Sequence, residues 1–150
     1  MIALAVSLFV ATTCSWPALA SVGSPHLALI KSTIGSVKFA PTLGAQRRAA
    51  ERLAELVRTD NGKKSIAIVV PSIAGLLDIP DDLVRHWIGI ALGNIGSPAK
   101  SAIPKLEKVL PTVDCMNGPI TGAGGIRYAL LKLGVKPPFP QTKCKNRTSG

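Results

Sequence analysis

Two cysteines and one histidine, Cys115, Cys144 and His86, are the side chains of this sequence best equipped for chemistry. A thiol beside an imidazole can act as a nucleophile when a third group orients the ring. His86 stands between Arg85 and Trp87 in a run that reads as helix, and nothing near it supplies the orienting group. A packed or exposed histidine is the plainer reading. Cys115 and Cys144 enclose 28 residues. In an oxidising compartment they most simply join, and closing a loop of that length is worth about 3 to 4 kcal/mol in the chain-entropy picture. Two free buried thiols are the other reading. A metal site fits poorly, because His26 and His86 lie far in sequence from both cysteines and no close ligand pair exists. Gly122-Ala123-Gly124-Gly125 lacks the spacing and the following acid of a dinucleotide site, and no serine occupies a nucleophile elbow. No catalytic residue, cofactor or metal is therefore expected. The alternative is a small exported thiol-dependent enzyme using Cys115.

Charge is the second signal. Lys and Arg number 18 against 8 Asp and Glu, a net charge of +10. After Asp114 no acid remains, while Arg127, Lys132, Lys136, Lys143, Lys145 and Arg147 follow. Lys105 and Lys108 are three apart and share a helix face, with Lys100 about one turn away. Singly, each is a solvated surface lysine. Together, Lys100, Lys105 and Lys108 are the candidate strip for a polyanionic partner: an acidic protein, an anionic lipid surface or an envelope polymer. Nucleic acid is a poorer candidate, given export and the few aromatics available for stacking, Phe39, Trp87, Tyr128 and Phe139.

Export is expected from the first twenty residues, MIALAVSLFVATTCSWPALA, which carry no charged side chain. Their apolar run is too short to span a bilayer, and they end in Ala18-Leu19-Ala20, the pattern of a signal peptide cut after Ala20. The chain would then be secreted or periplasmic, with Cys14 removed; an uncleaved anchor is the other reading, which Pro17 and the short run oppose. Asn146-Arg147-Thr148 fits a glycosylation acceptor, which matters only in a eukaryotic host.

The elements that carry these residues recur. Ala91-Leu92-Gly93-Asn94-Ile95-Gly96 returns as Ala129-Leu130-Leu131-Lys132-Leu133-Gly134 at an offset of 38, and Leu92 and Ile95 match Leu53 and Leu56 at 39. Ile103-Pro104 and Val70-Pro71 match at 33. Val84, Ile88, Ala91 and Ile95 form a helical stripe, with Trp87 beside them toward the paired helix. Asp81 and Asp82 suit the start of that helix and Gly96 its end. Pro104 belongs in the first turn of the next helix.

The stretch DDLVRHWIGIALGNIGSPAKSAIPKLEKVL, Asp81 to Leu110, is similar to the HEAT-like repeats first associated with phycobilisome lyases. In those, an Asp and a Val-Arg pair precede an Ala-Leu-Gly-x-Ile-Gly helix, then a small-residue turn and an Ile/Val-Pro-x-Leu helix. Gly44 to Leu77 matches more loosely, with Gln46 where Arg85 stands, and Thr121 to Gly134 keeps only the first helix. The resemblance implies a binding or structural scaffold without lyase chemistry. The expected fold is all-α, a short helical-repeat solenoid of about two and a half repeats (44–77, 81–110, 121–134). Residues 21–43 would form a cap or linker, with a short helix ending near Gly35. Residues 135–150 would form a Pro-rich basic tail, folded over the open end by a Cys115–Cys144 bridge with Phe139 as a plug. Ser65 to Val70, β-branched and strand-like by local pattern, takes a helical assignment from the repeat register.

Overall fold

The computed structural model describes residues 25–59, 66–113 and 120–138. Among those residues the protein is all-α, with six α-helices, short 3₁₀ turns and no strand. The helices are α1 (Pro25–Phe39), α2 (Leu43–Thr59), α3 (Val70–Gly75), α4 (Asp82–Ile95), α5 (Ile103–Val109) and α6 (Gly122–Lys132). Turns Ala67–Val69 and Leu76–Asp78 bracket α3, and Ser97–Ala102 and Leu110–Thr112 bracket α5. The four long helices pack in chain order, α1 on α2, α2 on α4 and α4 on α6. The short ones form a second set, in which α3 meets the turn leading into α5.

The stripe on α4 faces the core as its spacing requires: Val84, Ile88, Ala91 and Ile95 are fully buried. Trp87 corrects the expectation made for it. It packs against the core from the rim, about 70° round the helix from the stripe's centre, and is half-buried rather than buried, edge-on to His86 at 5.1 Å. Gly96 ends α4 with φ 72° and ψ −138°, a region open essentially to glycine alone. Pro71 and Pro104 both stand in the first turn of their helices, where no intrahelical acceptor awaits an N–H. The β-branched run is helical from Ile66 onward, since Ile66, Val69 and Val70 are all buried in the core.

Helix α1 does not stop near Gly35. It continues to Phe39, because Gly35 faces outward, where an added Cβ would meet nothing, while Ile30, Thr33 and Val37 turn inward. At the other end, Gly134 takes φ 87° and the Val135 N–H bonds to the Leu130 carbonyl. Arg127 donates through Nη1 to the Pro138 carbonyl, so the chain doubles back beside α6. Cys115, Cys144, Phe139, the first twenty residues and Asn146 lie outside the described residues.

Candidate functional site

Three long helices begin in the same way. Thr42, Asp81 and Thr121 precede α2, α4 and α6, and each side-chain oxygen accepts from the backbone N–H three residues on: Ala45, Val84 and Gly124, at 3.2, 2.9 and 3.1 Å. This cap satisfies a donor that the helix itself cannot. Four and five residues beyond the cap stand two adjacent polar side chains with opposite tasks. On α2, Gln46 reaches back to the Val37 carbonyl at 2.9 Å, and Arg47 reaches forward to the carboxylate of Asp81, Nη2 to Oδ2 at 2.6 Å. On α4, Arg85 reaches back to the Leu77 carbonyl at 3.0 Å, and His86 reaches forward to the Thr121 carbonyl at 2.9 Å. Each helix thus holds the capping residue of the next.

The electrostatics follow from those contacts. Hydrogen bonds from Arg47 hold the Asp81 carboxyl below the usual carboxylate range against the opposing effect of burial, and the same bonds raise the Arg47 guanidinium above its ordinary value. The Thr121 carbonyl can only accept, so the ring proton of His86 sits on Nδ1. That nitrogen is a strut between α4 and α6. A further polar line crosses the same row: Tyr128 donates to Asn94 Oδ1 at 3.0 Å, and Asn94 Nδ2 donates to the Ala54 carbonyl at 3.3 Å, linking α6, α4 and α2.

The glycines that failed as a dinucleotide loop have a packing role. A Cβ on Gly125 would lie 2.2 Å from the His86 oxygen, and one on Gly89 would lie 2.3 Å from the Gly125 carbonyl carbon. A Cβ on Gly93 would meet the Tyr128 ring at 2.6 Å. Backbones of α4 and α6 therefore touch along this seam.

Of the proposed strip, Lys100 and Lys108 are exposed, and Lys105 forms an ion pair with Asp78 on the turn after α3. No carboxylate pairs with Lys100 or Lys108 among the described residues. The strip's positive field thus comes mainly from its two ends. Among the described residues there is also no group of three or more His, Cys, Asp or Glu placed to hold a metal ion, and no helix long and apolar enough to cross a membrane.

Sequence reasoning aligned Gln46 with Arg85 but missed what the alignment meant. The signal was available: Thr42, Asp81 and Thr121 each stand four residues before position Gln46, Arg85 or Gly125. The forward contacts of Arg47 and His86 carried no such clue, since their side chains differ in everything except donor capacity. The chain matches no family model, no curated protein and no solved structure.

Proposed function

We propose that the chain is an exported, non-enzymatic scaffold of the HEAT-like repeat type, a short solenoid of about two and a half repeats that binds an acidic protein partner. The observation that carries this reading is the recurrence, at a fixed distance from each cap, of a backward and a forward polar contact: Gln46 and Arg47 on α2, Arg85 and His86 on α4. Repeat proteins are stabilised by such nearest-neighbour contacts, and their extended surfaces serve binding. In this reading Lys100 and Lys108 attract the partner, Lys105 is held by Asp78, and a Cys115–Cys144 bridge ties the tail to the open end.

The test is affinity capture from the host's own envelope or secreted fraction with three baits. These are the protein, its Lys100→Glu/Lys108→Glu variant and an unrelated basic helical protein of equal net charge. An acidic protein retained by the first bait and lost from the other two supports the reading. Equal retention by all three reduces the binding to bulk charge and overturns it.

A further inference from the structure

The corner where α1 turns into α2 combines features that the repeat reading leaves unused. From Pro25 to Ala50 the chain holds four Lys and Arg residues, Lys31, Lys38, Arg47 and Arg48, and no Asp or Glu. Arg47 is committed to Asp81, whereas no carboxylate pairs with Lys31, Lys38 or Arg48 among the described residues. Two of the exposed large hydrophobics flank this corner, Phe39 at 76% exposure and Leu43 at 47%, and Leu29 at 39% lies about 15 Å back along α1. Phe39 ends α1 and Leu43 opens α2, so the two exposed side chains stand at either edge of the turn between them. Beside the Phe39 ring runs a shallow, open groove lined by Ser32, Gly35, Ser36, Pro41 and Ala45, with no charged residue in it. The Lys38 ammonium lies 5.3 Å from the centre of the ring.

We propose that this corner docks on an anionic lipid bilayer, with Phe39 and Leu43 entering the boundary between headgroups and acyl chains. A protruding aromatic needs no matching pocket in a deformable surface. Lys38 lies where its stem can accompany the ring while its ammonium stays at the phosphates, the arrangement by which long basic side chains serve interfaces. Lys31, seven residues earlier, shares its flank of the helix, and Arg48 adds a third charge five residues beyond Leu43. The uncharged groove lets α1 lie against the surface without desolvating an ion. This inference is independent of the protein-binding reading, because it uses none of Lys100, Lys105 or Lys108.

The protein, in the form its host accumulates, is titrated with vesicles of phosphatidylcholine containing 30% phosphatidylglycerol, and with phosphatidylcholine alone. Each lysine near an anionic surface is worth about fivefold in partitioning, so Lys31→Glu/Lys38→Glu loses about thirtyfold or more. Lys100→Glu/Lys108→Glu, an equal change in net charge, loses less than about threefold. Phe39→Ala/Leu43→Ala, which alters no charge and replaces no fully buried residue, loses about tenfold or more. In a Phe39→Trp variant, brominated lipid quenches the added indole. Equal losses for the two lysine pairs overturn the proposal, as does an undiminished Phe39→Ala/Leu43→Ala variant. Phe39→Trp fluorescence indifferent to brominated lipid, or binding to a soluble anionic polymer as tight as to vesicles, overturns it too.

Discussion

Replacing Gly125 with alanine should destabilise the protein, although the same change in an exposed helix stabilises it by about 1 kcal/mol. The added Cβ would stand 2.2 Å from the His86 oxygen and 2.7 Å from its Cα, where ordinary contact begins at 3.4 Å. The seam must therefore open by about 1.2 Å. Both close atoms are backbone, so no side-chain rotation relieves them. Overpacking of this kind costs about 1 to 3 kcal/mol. Opening also stretches the 2.9 Å contact from His86 to Thr121, a loss of about 1 kcal/mol. After the helix-propensity gain the net cost is about 2 kcal/mol, a fall of roughly 1 M in the urea midpoint followed by circular dichroism. Gly35→Ala is the internal control, since nothing lies within 4 Å of its Cβ position. It should leave the midpoint unchanged or raise it. A Gly125→Ala protein as stable as Gly35→Ala would refute the close approach of α4 and α6.

Asp81 should govern part of the acid sensitivity. Its carboxyl is held below the usual range by Arg47, so the stability it adds is present above the ordinary Asp pKa, about 3.9, and is lost as pH falls through the lowered folded value. Asp81→Asn keeps a capping oxygen but not the ion pair, so its melting temperature should trail the parent's above pH 5 and converge on it in acid; a constant gap down to pH 2 would contradict this. Ile88→Ala should cost about 2 to 5 kcal/mol, as deletion of a fully buried side chain, and half-buried Trp87→Ala should cost less, an order that denaturant titration reads directly. Mass spectrometry without reduction should find Cys115 and Cys144 joined, and free thiols at both would remove the tail from the proposed scaffold.

The helical class and the buried stripe on α4 were legible because period and burial are the same fact seen twice: Val84, Ile88, Ala91 and Ile95 are apolar because they face inward. Pro71 and Pro104 were equally informative, since a missing N–H has few places to go. Trp87 misled because a large apolar residue next to a stripe looks like part of it, whereas a rim position serves an indole as well. The length of α1 was obscured by Gly35, which suggests a helix end in sequence and proves to be an outward residue in mid-helix. For the candidate strip, Lys100 and Lys108 were readable as exposed cations. The partner of Lys105 was not, because Asp78 lies 27 residues away and only packing of the short helices brings it near.

The backward and forward contacts also bear on how long such a chain can grow. On α6 the two positions beyond the cap are Gly125 and Ile126, and Ile126 is fully buried. Neither has a polar side chain to offer a successor. A copy of residues 81–120 inserted after α6 would create a joint with no counterpart to Arg47 or His86, and the capping aspartate of the copy would go unclaimed. Ile126, which packs inward at the position from which Arg47 and His86 reach forward, thus leaves the far side of α6 without that link. Adding a further helix pair by design would begin by restoring a donor at position 126, with the seam behind it reopened to make room.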